Sequence, residues 1–137
     1  MKKWERHGMS YPSMIADAVD EYVKENGSTS VMTRMEMLRV INEKHPEVIY
    51  PYFRPSDFCY NRIHDGVRFS RQRRLFEYLG RNSFRVLGTG YPYTGPIFHR
   101  AVNSGGKDIE VGRMEQGKMI LNDGWANGCY CPQGSGR

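Results

Sequence analysis

Residues 68–88 read RFSRQRRLFEYLGRNSFRVLG, a basic run followed by two apolar stretches that meet at a polar turn. Residues 74–79 and 83–87 predict two short strands, because apolar and aromatic side chains recur along both of them. Gly80 and Asn82 supply the tolerance of positive φ that a tight hairpin turn needs. The stretch therefore predicts a β-hairpin with arginine on its approach and at its tip.

The excess positive charge of the chain is concentrated around this hairpin. Residues 54–86 hold eight arginines and no lysine against three acids, a net charge of +5, which equals the formal charge of the whole chain. The positive and negative charges of the remaining residues therefore balance to zero. Arginine, unlike lysine, favours planar, two-pronged contact with phosphates and base edges. The segment is interpreted as a nucleic-acid surface, the alternative being an ordinary solvated face.

Two helices are predicted upstream of the basic segment. Residues 12–26 repeat apolar side chains at a spacing of three to four, with Ser10 as the cap and Gly27 as the end. Thr33 and Glu36 form a T-x-x-E capping box that predicts the start of the second helix, which stops before Pro46. A short third helix is expected over residues 55–64, closing on Asp65-Gly66.

The sequence after Gly88 changes character. Residues 88–106 are rich in glycine and proline and predict an irregular connection, whereas residues 107–122 predict a hairpin that turns at Gln116-Gly117. We therefore expect a first domain over residues 10–88 and an aromatic, glycine-rich C-terminal extension over residues 89–137, packed on the first.

Composition narrows the class of protein. The chain has 137 residues, 39% of them hydrophobic, and no run of 18 apolar residues, so we expect no membrane span. No apolar stretch of signal-peptide length follows the N-terminal basic residues. Three cysteines are an odd number, which argues against a disulfide framework and favours a reducing, cytoplasmic setting. The net positive charge favours an anionic partner.

The predicted order of helix, helix, short helix and two-stranded ribbon is that of a winged helix-turn-helix. The wing pattern LFEYLGRNSFRVL at residues 75–87 resembles the small winged-helix domains attached to, or found beside, prokaryotic restriction and defence nucleases. Their wings commonly end in an L-F-x-x-x-G-x-G-x-[YF]-x-L-like pattern, in which Asn82 or Ser83 here replaces the second glycine. The resemblance covers about residues 12–88. It implies an α+β fold, a winged helix of three helices and a two-stranded wing, followed by a β-rich or irregular extension.

The resemblance also implies a set of contacts with double-stranded DNA. The third helix would enter the major groove, and the arginine-rich loop and the wing tip would follow the phosphate backbone or the minor groove. Asn61 would be the adenine reader, since its amide matches the donor and acceptor of that base. The residues expected to contact DNA are Arg54, Ser56, Tyr60, Asn61, Arg62, His64, Arg68, Arg71, Arg73, Arg74 and Arg81.

Several of these residues have structural alternatives that the sequence leaves open. Tyr60 could equally pack against Tyr50 or Tyr52, and His64 could simply complement the dipole at the end of its helix. Asp57 is interpreted as a first-turn acid and not as a catalytic group. Arg85 alternates with apolar neighbours and fits the solvent face of a strand.

No motif predicts catalysis, a cofactor or a metal. Cys129 and Cys131 are not matched by a second ligand pair of the spacing that closed zinc sites use. Asp108-x-Glu110 lacks the lysine expected in a metal-dependent nuclease centre. We therefore expect a non-enzymatic protein that binds double-stranded DNA as a regulator or targeting module.

Two other functions stay open at the sequence level. The first is a non-enzymatic protein–protein module, such as a phage-encoded inhibitor that uses the basic face to occupy a nucleic-acid channel or an acidic surface of a bacterial defence enzyme. Residues 89–137 form a separate candidate surface for a protein partner or a homodimer. The second is RNA binding through the same arginines.

Overall fold

The computed structural model describes residues 9–63, 73–100 and 107–122. Its described part contains two α-helices, two 3-10 turns and seven strands that form two sheets. In chain order these are α1 (Tyr11–Asn26), β1 (Val31–Met32), α2 (Arg34–Lys44), the 3-10 turns Tyr50–Tyr52 and Pro55–Phe58, β2 (Arg62–Ile63), β3 (Phe76–Gly80), β4 (Ser83–Val86), β5 (Gly95–Arg100), β6 (Asp108–Glu115) and β7 (Lys118–Leu121). The protein is a mixed α+β fold rich in strand.

Both predicted helices form with the predicted caps. The Ser10 hydroxyl accepts a hydrogen bond from the Ser13 amide at the start of α1, and Gly27 ends the helix with a positive φ of 84°. At α2 the Thr33 and Glu36 side chains each accept a hydrogen bond from the other residue's backbone amide, which completes the capping box. These contacts satisfy amides that have no partner inside the helix.

The first sheet has the strand order β1-β4-β3 and packs against the two helices. Its β3–β4 hairpin confirms the prediction, and Asn82 occupies the turn with a φ of 49°. Ile15 from α1, Ile41 from α2 and Phe76 from β3 are completely buried in the core between the sheet and the helices. Phe53 enters the same core from the connecting segment and contacts Phe76 edge to face. Burial of these side chains holds the helices on the sheet.

The second sheet has the strand order β2-β5-β6-β7, in which β2 runs parallel to β5 and the other pairs are antiparallel. The predicted hairpin at Gln116-Gly117 is confirmed as the β6–β7 turn, and both residues have positive φ. Strand β5 lies within the segment that was predicted to be irregular, so that prediction was wrong for residues 95–100. Because β2 comes from residues 62–63, the second sheet takes one strand from the segment assigned to the first domain.

The predicted third helix does not form, and the prediction of a three-helix winged helix is wrong. Residues 55–58 make a 3-10 turn, Cys59 bridges Phe76 in parallel, and residues 62–63 are strand β2. The Tyr60 amide donates to the Phe76 carbonyl at 2.8 Å, and the Leu75 amide donates to the Phe58 carbonyl at 2.7 Å. The backbone of this segment therefore pairs with the edge of β3 and not with itself. Sheet pairing with distant residues has overridden a weak local preference for helix.

Candidate functional site

A surface concavity lies where the start of α2, the 3-10 turn Pro55–Phe58 and the tip of the β3–β4 hairpin meet. We call it the arginine cleft; its volume is about 670 Å³. Its lining residues are Arg34, Arg54, Pro55, Ser56, Asp57, Tyr78, Arg81, Asn82 and Phe84. Three arginines thus face one aspartate in a single concavity, although they come from three separate segments of the chain.

Arg34 is fixed in place by its neighbours. Its Nε donates to the Phe53 carbonyl and its Nη2 to the Tyr50 carbonyl, both at 2.8 Å. The guanidinium carbon lies 3.7 Å from the centre of the Tyr50 ring, which is a close cation–π contact. The Arg34 amide also donates to the Asn82 side-chain oxygen at 3.0 Å, which links α2 to the hairpin tip. Arg34 is therefore a positive charge whose orientation is set before any ligand arrives.

Arg54 and Arg81 flank the cleft as exposed side chains. Arg54 precedes Pro55 and has the extended backbone that a following proline imposes. Arg81 lies in the hairpin tip, where the left-handed Asn82 next to it closes the turn. Ser56, which is partly exposed, and Asp57 lie between them on the cleft wall. Arg54, Ser56 and Arg81 of the predicted DNA-contacting set therefore meet here.

Tyr60 of the predicted set points into the protein. It is 3% exposed, its hydroxyl donates to the Gly88 carbonyl at 2.7 Å, and the same oxygen accepts from the Tyr91 amide. Its ring stacks on Tyr93 in the second core, with ring centres 5.7 Å apart. Burial raises the pKa of the Tyr60 phenol and raises that of Tyr93 to about 12, so both hydroxyls stay protonated. Tyr60 is therefore packed inside the protein, but its aromatic neighbours are Tyr93 and Tyr91 and not Tyr50 or Tyr52 as predicted.

Asn61 and Arg62 also make internal contacts. The Asn61 amide nitrogen donates to the Tyr78 carbonyl at 2.9 Å, and the Asn61 side-chain oxygen accepts from the Tyr78 amide at 2.8 Å. Arg62 is 6% exposed, lies 3.3 Å from an Asp108 carboxylate oxygen, and covers the Tyr78 ring at 4.2 Å. In this structure neither side chain is presented to a ligand at the surface.

The remaining predicted contacts divide into two groups. Arg73 is exposed and donates to the Ser13 hydroxyl at the start of α1. Arg74 is more enclosed, contacts the Met119 sulfur, and has a pKa lowered by burial. His64, Arg68 and Arg71 lie outside the described residues, as do Cys129 and Cys131.

Sequence reasoning missed Arg34 of the cleft and the two exposed tyrosines next to it. Arg34 belongs to a part of the chain with no net charge, so charge counting does not find it. Tyr50 and Tyr52 are 45% and 52% exposed. Tyr50 contacts the guanidinium of Arg34, and Tyr52 lies two residues before Arg54 in the sequence. The signal that could have found them is the spacing Tyr-Pro-Tyr ahead of Phe53-Arg54, since a short turn of this kind cannot bury every aromatic ring.

Acidic residues gather on a separate surface. Asp17, Asp20, Glu21 and Glu25 of α1 line a second hollow with Lys24. Asp17 is contacted by His45 at 2.8 Å and by Lys44 at 3.1 Å, and these contacts, the His45 hydrogen bond first, lower its pKa. The two hollows share no residue, so the protein separates a cationic concavity from an acidic helix face.

Other kinds of site have little support in the described ranges. No group of three or more histidine, cysteine, aspartate or glutamate side chains is placed there to hold a metal ion. Cys59 is buried, and burial raises the pKa of its thiol, which disfavours the reactive thiolate. No described helix is long and apolar enough to cross a membrane.

Comparison with known proteins gives a family match and one relative. The family model described as "Domain of unknown function (DUF7225)" matches residues 14–121. The chain is similar to "Uncharacterized protein YnaC" of Bacillus subtilis (strain 168), with 34% identity over 118 residues, which cover 84% of this chain. They cover 40% of that relative, so the chain spans about two fifths of its length. No solved structure matches the chain.

Proposed function

The chain belongs to the DUF7225 family, a domain of unknown function, and from that premise we propose that it binds nucleic acid without catalysis, holding the phosphate backbone in the arginine cleft. The observation that carries this proposal is the convergence of Arg34, Arg54 and Arg81 on one concavity. Phosphate oxygens accept hydrogen bonds from a guanidinium two at a time, and such charge-assisted bonds are about twice as strong as neutral ones.

The geometry of the cleft favours a polyanion over a single small anion. Arg54 and Arg81 come from separate walls and are both exposed, so they suit successive groups along a chain. Arg34 adds a charge that has already lost its side-chain freedom to two carbonyl bonds. Preorganised contacts of this kind raise affinity because less entropy is lost on binding.

This proposal retains the predicted arginine-rich surface as the nucleic-acid contact, but it does not include a helix that reads bases in the major groove. The helix that was to enter the major groove is replaced by a 3-10 turn and a strand, and Tyr60 and Asn61 are held by internal contacts. Binding should therefore follow the backbone and show little sequence preference. Double-stranded DNA, the partner predicted from the sequence, stays a prediction and forms one arm of the test.

The test is fluorescence anisotropy of the whole protein with labelled DNA across about 50 to 200 mM salt, a range over which phosphate contacts weaken strongly. We expect salt-sensitive binding that Arg54→Ala/Arg81→Ala weakens about tenfold or more. The matched control is Arg39→Ala/Arg113→Ala, which removes the same charge from exposed positions outside the cleft. Equal losses in the two double variants would show that net charge and not the cleft is responsible. A structured RNA competitor tests the RNA alternative in the same assay.

A protein partner is the second candidate function. The observation that favours it is the edge position of β7 among the described strands of the second sheet, together with the 43% exposure of Ile120 within that strand. Exposed strand edges pair with other chains through their backbone groups. Across the β6–β7 hairpin the Ile120 amide points to Arg113 inside the sheet, whereas the Met119 amide points to the outer edge. Met119→Pro should therefore block pairing at this edge, and it leaves the arginine cleft untouched. Affinity purification with wild type and Met119→Pro as baits, after a folding check, compares the two surfaces.

A further inference from the structure

Beside the arginine cleft lies a group of exposed tyrosines. Among the described residues, the exposed tyrosines are Tyr11, Tyr50 and Tyr52, at 40%, 45% and 52% exposure. The Tyr11 and Tyr52 rings lie 4.7 Å apart, and Tyr50 stacks against Arg34 of the cleft. All the exposed tyrosines of the described ranges are therefore in one place, next to the cationic concavity.

The backbone conformation places the Tyr52 ring and the Arg54 side chain on the same side of the chain. Tyr50 and Tyr52 belong to one 3-10 turn around Pro51, and the chain then continues through Phe53 and Arg54 in an extended conformation. Successive side chains in an extended segment point to opposite faces. Phe53 is completely buried and anchors the segment, so Tyr52 before it and Arg54 after it are turned outward together.

We propose that the nucleic acid held by the arginine cleft is single-stranded, with unpaired bases stacked on Tyr50 and Tyr52 while their phosphates contact Arg54 and Arg81. This inference rests on the proposed function and adds the form of the ligand. Proteins that bind single strands combine a cationic path for the backbone with aromatic rings for successive bases. The exposed rings of Tyr50 and Tyr52, next to the exposed Arg54 and Arg81, give this surface both parts.

A duplex would use only half of the surface. In a double helix each base face is covered by the next base pair, so an exposed ring beside the phosphate path gains no stacking contact. A single strand offers free base faces, and any base suffices because every base has a π-face. The absence of a groove-reading helix from residues 55–63 agrees with this, since that segment has no element of the size that fills a major groove.

The test compares one mixed-sequence DNA 20-mer, single-stranded or annealed to its complement, in binding to the whole protein. We expect wild type to bind the single strand at least tenfold more tightly. Tyr50→Leu/Tyr52→Leu removes the rings and keeps apolar bulk, and should weaken single-strand binding by roughly tenfold or more with little effect on the duplex. The matched control, Tyr50→Phe/Tyr52→Phe, keeps the rings and should retain the affinity of the wild type. Thermal melting of each variant establishes that it is folded.

The outcomes separate this inference from the function on which it rests. If the duplex binds as tightly as the single strand, or if folded Tyr50→Leu/Tyr52→Leu binds the single strand like wild type, the single-strand inference is wrong. In that case Arg54→Ala/Arg81→Ala still decides whether the cleft binds nucleic acid. If the wild type binds neither form at about 50 mM salt, the proposed function and this inference both fail.

Discussion

Replacing Asn61 by alanine should weaken the fold and leave nucleic-acid affinity unchanged. The Asn61 side chain pairs with both backbone groups of Tyr78, at 2.8 and 2.9 Å, on the edge of β3. Each such hydrogen bond contributes about 1 kcal/mol net, so the loss of both should lower the free energy of unfolding by about 2 kcal/mol. For a chain of this size that corresponds to a fall in Tm of roughly 6–10 °C.

The assay is urea denaturation followed by circular dichroism, with DNA binding measured well below both melting temperatures. Asn122→Ala is the control, since Asn122 is exposed and its hydrogen bond to Val111 uses the backbone amide; its stability should stay within about 0.5 kcal/mol of wild type. The sequence-based prediction that Asn61 reads adenine demands the opposite pattern. Unchanged stability together with weaker DNA binding would refute the structural role argued here.

Three further predictions test charge, pH and packing. Arg54→Ala should reduce the slope of log affinity against log salt by about 1, measured by anisotropy, and an unchanged slope would mean that Arg54 contacts no phosphate. Because the pKa of Asp17 is lowered by His45 and Lys44, its ionised form stabilises the fold above its unfolded pKa of 3.8, and that stability is lost as pH falls through the lower folded value. Asp17→Asn should therefore lower the free energy of unfolding at pH 7 and change it little at the acid limit, as measured by urea titration at each pH. If the variant is still less stable than wild type in acid, the loss has another cause. Gly112→Ala should destabilise the second sheet by about 2 kcal/mol or more, because its Cβ would lie 2.4 Å from the Ile120 carbonyl oxygen, and a thermal melt like that of wild type would contradict the close approach of β6 and β7.

Features set by neighbouring residues could be predicted from the sequence. The capping box at Thr33 and Glu36 and the positive φ at Asn82 and Gln116 each involve contacts or conformations within a few positions. Both helices and both hairpins were predicted for this reason. The prediction of a third helix failed because the backbone of Tyr60 hydrogen-bonds to that of Phe76, and because β2 pairs with β5. Pairings over such separations leave no local periodic pattern.

The candidate site could be predicted only in part, for the same reason. Arg54 and Arg81 belong to the arginine-rich segment, so charge counting assigned both to the cationic surface but did not predict that they share one cleft. Arg34 joins them through contacts with Tyr50 and with Asn82, which no local pattern indicates. Burial then divided the other predicted contacts, since Arg62 is buried and pairs with the Asp108 carboxylate at the surface, whereas Arg73 is exposed.

The short segment from Phe58 to Ile63 also constrains how the protein is made. Its first half pairs with β3 and its second half with β5, so it is shared between two sheets that are completed at different times during synthesis. The described strands of the first sheet are all present once residue 86 has emerged, whereas β5, the strand that β2 pairs with, ends at residue 100. Since non-local strand pairing is slow and chains emerge at about 5–20 residues per second, the nascent protein passes through an interval with β2 uncovered. Synonymous codons or pauses between residues 88 and 95 would lengthen that interval and should raise aggregation, even though they change no amino acid.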